Sequence, residues 1–137
     1  MIKILRYLLI FILFSLPLNA ESIDKVVING NKRISDETIK IYGEINNTKN
    51  YTEKNSNLIL KNLYSTGFFE NVEILFDKNT LTINLKEYPT INQLIIVGEK
   101  SKKYVNEIKK SISSKQKKSL NKSNLFKDIN LIKSLYS

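Results

Sequence analysis

The sequence predicts an α+β fold in which two helices lie on one face of a three-stranded sheet, followed by an incomplete second unit of the same kind. Three observations carry this expectation. Hydropathy periodicity between residues 23 and 87 switches in the order strand, helix, helix, strand, strand. Two alternating runs on either side of Asp77-Lys78-Asn79 read as a hairpin with one apolar face. The segment after residue 90 repeats the beginning of the first unit.

The first strand is Ile23 to Gly30, with Val26 and Ile28 on one face and Gly30 ending the run. Ser35 is placed to cap a helix from about 36 to 45. Asp36 and Glu37 fall in its first turn, where the helix dipole favours acids, and Ile34 and Ile39 hold the positions of a hydrophobic staple. That dipole role is the simpler account of Asp36-Glu37 than acid/base chemistry. Asn46 to Asn50 interrupts the helix. Thr52 then caps a second one, whose apolar residues Ile59, Leu60, Leu63 and Tyr64 recur at three- and four-residue spacing and which stops at Gly67. Phe68 and Phe69 are expected beneath the helix pair. In the hairpin, Val72, Ile74 and Phe76 share a face on one strand, and Leu81, Ile83 and Leu85 on the other. Gly30-Asn-Lys-Arg lacks the glycine spacing of a phosphate loop and reads as a strand-to-helix turn. A domain of roughly 65–70 residues is marginally stable alone.

The first twenty residues have the layout of a secretory signal peptide. Lys3 and Arg6 precede the apolar run Tyr7 to Phe14, and Ser15, Pro17 and Leu18-Asn19-Ala20 lead to Glu21, so cleavage is expected between Ala20 and Glu21. The run is too short for a membrane span, which needs about 20 apolar residues. With no cysteine after it, no lipoprotein anchor is expected.

Of 137 residues, 42% are hydrophobic and 26% charged, a globular composition. There are no cysteines and no histidines, which excludes disulfides and thiolate metal sites and removes the commonest general base. No catalytic group, metal or cofactor is expected. The net charge of +9 is concentrated after residue 90, where eleven lysines face three acids. This excess reads first as a solvated face, because no aromatic side chains are expected to present stacking surfaces among these lysines, and nucleic acid is not an expected partner. A basic anion-binding domain is kept as an alternative.

The repeat has two anchors. Ile91-Asn-Gln-Leu-Ile-Ile-Val-Gly-Glu-Lys100 aligns on Ile23-Asp-Lys-Val-Val-Ile-Asn-Gly-Asn-Lys32, and Leu131-Ile-Lys-Ser-Leu-Tyr-Ser137 aligns on Ile59-Leu-Lys-Asn-Leu-Tyr-Ser65. The offset between them differs by four, which places a longer middle at 113–122 in the second copy. Tyr88-Pro89-Thr90 is the junction. The expected organisation is a signal peptide over 1–20, a first unit over 21–88, and a truncated second unit over 89–137 holding a strand and two helices.

Val26 to Glu37, Leu63 to Val72 and Leu85 to Ile91 are three ordered landmarks that resemble those of POTRA (polypeptide-transport-associated) domains, in particular those of the BamA-type outer-membrane protein assembly factors. The resemblance implies a β-α-α-β-β unit with a mixed sheet. It also implies a periplasmic, non-enzymatic role next to the outer membrane, with nascent outer-membrane proteins and assembly-machinery lipoproteins as partners. The family carries several such units before a membrane β-barrel, so a chain of this length is expected to be a fragment or a truncated product, and its second unit not to be independently stable. The second strand, Glu70, Asn71, Val72, Glu73, Ile74, Leu75 and Phe76, is the docking edge the resemblance implies, with Val72 and Leu75 shaping the contact. Glu70, Glu73 and Asp77 could equally protect such an edge from aggregation. A POTRA protein of two-partner secretion or of cell division is the other alternative.

Overall fold

The computed structural model describes residues 22–46 and 51–137. The segment expected to be a signal peptide, with the expected cleavage site at Ala20 and Glu21, lies outside them. Strand β1 (Lys25–Asn29), helices α1 (Asp36–Tyr42) and α2 (Glu53–Ser65), strands β2 (Phe69–Asp77) and β3 (Thr80–Glu87), and helices α3 (Lys102–Ser111) and α4 (Lys122–Ser134) follow in that order. The sheet has the order β1-β3-β2 and is mixed: β3 runs parallel to β1 and antiparallel to β2. The two outer strands are therefore β1 and β2.

Local chemistry sets the boundaries. Ser35 Oγ accepts the N–H of Thr38 at the start of α1. The helix stops at Tyr42, short of the expected residue 45, because Glu44 turns left-handed at φ 53 while the Gly43 N–H closes back on the Ile39 carbonyl. Ile45 still folds under and is buried. At the start of α2, Asn55 Oδ1 accepts both the N–H and the hydroxyl of Thr52, the return half of a capping box. Between β2 and β3, Lys78 and Asn79 both have positive φ, 45 and 62, as a two-residue hairpin turn with right-handed twist requires.

The helices cover one face of the sheet. Ile39 of α1, Leu63 of α2, Phe69 of β2 and Leu81 and Ile83 of β3 are almost wholly inaccessible and form the centre of the core, with Val26, Ile28, Ile74 and Phe76 packed around them. Phe69 meets its expectation; Phe68 is half-buried against Tyr42, ring centroids 5.9 Å apart. On the open face the register aligns Val27, Thr82 and Leu75 in one row and Asn29, Asn84 and Glu73 in the next. In the polar row, Asn29 Nδ2 donates to Asn84 Oδ1 and Asn84 Nδ2 to Glu73 Oε2, each at 3.0 Å.

Gly30 is forced by packing. Its φ is +85, and a Cβ there would stand 2.0 Å from the Leu85 carbonyl oxygen. The turn after it ties the sheet to α1. The Glu87 carboxylate accepts the N–H groups of Lys32, Arg33 and Ile34 through Oε1 and the Arg33 Nε–H through Oε2, at 2.8 to 3.2 Å, while Arg33 also donates to the Tyr88 carbonyl. The strand-to-helix turn is thus an N–H cradle of the sort that holds anions, and the protein fills it with its own carboxylate. Burial pushes the Glu87 carboxyl up, but the N–H donors and Arg33 outweigh it and hold the carboxyl below its ordinary value.

The second unit departs from expectation in one element. Its helices form as read, α3 capped by Ser101 and α4 by Asn121. The stretch 91–97, expected as a strand, forms no ladder. Alternation marks a segment as able to be a strand, but a strand exists only where a neighbour completes its hydrogen bonds, and nothing among residues 89–137 corresponds to β3. Its start is held differently: the Ile91 N–H donates to the Lys118 carbonyl, the Lys117 N–H returns to Ile91, and the Leu120 N–H donates to the Pro89 carbonyl. Asp128, buried in α4, accepts the N–H groups of Ser113 and Ser114 at 2.7 Å each and so fixes the loop between the helices. Leu94, Ile96, Ile108, Ile112 and Ile132 line an open apolar groove of about 570 Å³.

Candidate functional site

Hydrogen-bond phase determines what an outer strand can offer. The Val72 N–H donates to the Tyr64 hydroxyl of α2 at 3.1 Å, so it points away from β3. Alternation then turns the N–H and C=O of Ile74 and Phe76 outward as well, while Glu73 and Leu75 spend theirs on β3. Val72, Ile74 and Phe76 face the helices with their side chains and the exterior with their backbone.

The expected docking residues divide accordingly. Val72 is 6% exposed, so its side chain belongs to the core and cannot shape a contact; only Leu75, 51% exposed on the open face, can. Phe76 packs on Tyr51 with ring centroids 4.4 Å apart. Glu70 is paired with Lys86 of β3 at 2.9 Å, and that hydrogen bond, with the lysine charge, holds its carboxyl below the ordinary range. Register slips between Phe69 and Asn71, a bulge that leaves Glu70 outside the pairing. Asn71 is exposed and accepts from the Tyr64 hydroxyl at 3.4 Å. Sequence reasoning missed Tyr64 in this role, since its place at helical spacing marks it only as apolar stripe. It also missed Tyr104 among the lysines. That ring stacks on Tyr136, centroids 5.6 Å apart, and the Tyr136 hydroxyl donates to Glu99. Among the described residues no cluster of acids, histidines or cysteines could hold a metal.

With the fold and this edge described, the class of the molecule follows. Residues 21–88 match the POTRA family, described as surface antigen variable number repeat. Over that span the chain carries a POTRA domain. Two outer membrane protein assembly factors BamA are similar in sequence. That of Neisseria meningitidis serogroup B is 30% identical over 79 residues, 58% of this chain. That of Neorickettsia risticii is 25% identical over 81 residues, 59% of this chain. The chain spans only about a tenth of either relative's length, 10% and 11%. Among solved structures, the N-terminal domain of Omp85 from Thermosynechococcus elongatus superposes with a TM-score of 0.57 at 21% identity, covering 83% of this chain and 50% of that one. POTRA1-2 of the periplasmic domain of Omp85 from Anabaena gives 0.53 at 15% identity, covering 83% of this chain and 77% of that one. Coverage of 83% requires the likeness of fold to extend past residue 88.

Proposed function

We propose that the chain is a periplasmic protein-binding module of the outer-membrane protein assembly machinery, which captures extended segments of nascent outer-membrane proteins, or partner lipoproteins, as an added strand on β2. The observation that carries this reading is the outward backbone of an outer strand in a POTRA domain: Ile74 and Phe76 present N–H and C=O groups that make no hydrogen bond outside the ladder among the described residues. Backbone pairing is indifferent to client sequence, which suits a module serving many clients. The BamA relatives supply the setting, and the signal segment supplies the route. Binding, not catalysis, is the activity.

Ile74→Pro is the direct test. Because the Ile74 N–H points away from β3, proline there removes an outward donor while leaving the β2–β3 ladder bonded. Capture of an extended peptide is expected to be lost while far-ultraviolet circular dichroism stays nearly unchanged. Undiminished capture by a folded variant would sink the edge assignment.

A further inference from the structure

We infer that Tyr64 sets where an added strand begins on β2, by occupying the first outward N–H of the edge and confining docking to Ile74 and Phe76. This rests on the β2-edge reading and sharpens it to a register.

The geometry comes from α2. Its last turn brings Tyr64 alongside the beginning of β2, seven and eight residues on, where the one hydroxyl accepts from the Val72 N–H at 3.1 Å and donates to Asn71 Oδ1 at 3.4 Å. Both capacities of the hydroxyl are thus directed at the edge, and its oxygen takes the place on the Val72 N–H that the carbonyl of a neighbouring strand would take. Just before it the bulge at Phe69/Asn71 breaks the register, and Glu70 is drawn sideways to Lys86. A bulge and a capped amide together blunt the first half of the strand. Among the described residues the second half, up to the turn at Lys78-Asn79, carries no such cover.

An incoming segment therefore has two complete rungs, at Ile74 and Phe76, and half a rung at the Val72 carbonyl. Side chains of the segment that lie on the open face pass Leu75, which continues into Thr82 and Val27. The partner this fits is a short extended stretch with an apolar residue beside Leu75, not a long continuous strand. Without the hydroxyl the Val72 amide is free, and the half rung at Val72 becomes a complete one.

The test compares the parent chain with Tyr64→Phe, which keeps the ring. Amide exchange is followed by NMR with and without a synthetic ten-residue peptide of alternating valine and threonine flanked by lysines. In the free proteins, Val72 is expected to exchange roughly tenfold faster in the variant, the effect of one lost hydrogen bond. With peptide, the parent gains protection at Ile74 and Phe76 only, whereas the variant gains it at Val72 too and binds about three- to tenfold tighter. The same footprint and affinity in both proteins would overturn the register role while leaving the edge reading standing. No gain of protection at any β2 amide of either protein on adding peptide would overturn both.

Discussion

Glu87 shows how much one side chain can hold. A single carboxylate closes three backbone N–H groups and a guanidinium, joining the end of β3 to the turn that launches α1. Its side chain is 5% exposed. Glu87→Gln keeps the shape but removes the charge, and should cost about 1–3 kcal/mol, seen as a lower thermal midpoint at neutral pH. The pH dependence has a fixed sign. Because the native carboxyl titrates below its unfolded value near 4.5, the stabilisation is complete above that value and disappears as pH falls through the native one. The gap between parent and variant should therefore narrow in acid; a gap that does not shrink on acidification would contradict the cradle. None of this was legible in the sequence, which places Glu87 more than fifty residues from its partners in an otherwise ordinary strand end. The same blindness hid Tyr64, whose hydroxyl matters only once α2 is laid beside β2. Gly30, by contrast, was legible as a stop though not as the close approach to Leu85 that makes glycine necessary.

At the scale of elements the sequence is a better guide, because caps and periodicities act over a few residues. Ser35, Thr52, Gly67 and the Lys78-Asn79 turn all sit where their chemistry placed them. The failures are those where an element depends on a remote one. Residues 91–97 alternate like β1 and yet pair with no strand, and α1 loses its last turn to Gly43 and Glu44. In the second unit Asp128 is a buried carboxylate. Burial pushes its carboxyl up, but the Ser113 and Ser114 N–H groups and the Ser114 hydroxyl hold it below the ordinary aspartate value. Asp128→Ala should leave two N–H groups without an acceptor and loosen the connection between α3 and α4. Faster trypsin cleavage at Lys115, Lys117 and Lys118, with the first unit unaffected, is the expected result; an unchanged cleavage rate would show that the loop is held by other means.

Across the whole molecule the two units are unequal. The first has a closed core and a complete three-stranded sheet; the second has two helices against an unpaired extended segment and an open groove. Amide exchange should follow this division. Leu94 to Val97 should exchange at nearly unprotected rates, while Ile83 and Leu85, in the central strand, should be the slowest in the chain. Comparable protection of the two groups would mean that the segment has found a partner in solution. The lysine excess lies on the less complete half, mostly exposed.

The parallel pairing of β1 with β3 imposes an order in time. Lys25–Asn29 finds its neighbours at Thr80–Asn84, so a chain that emerges amino terminus first, from a ribosome or a translocation pore, delivers its first strand long before the strand that can receive it. β1 and both covering helices must wait, with their apolar faces uncovered, until the hairpin has arrived. Glu87 is the last residue of that hairpin, and the turn it secures lies more than fifty positions upstream. The domain therefore cannot be built piecemeal along its length. It closes in one late event, and until then it resembles the unfolded clients proposed for it and needs the same protection from aggregation.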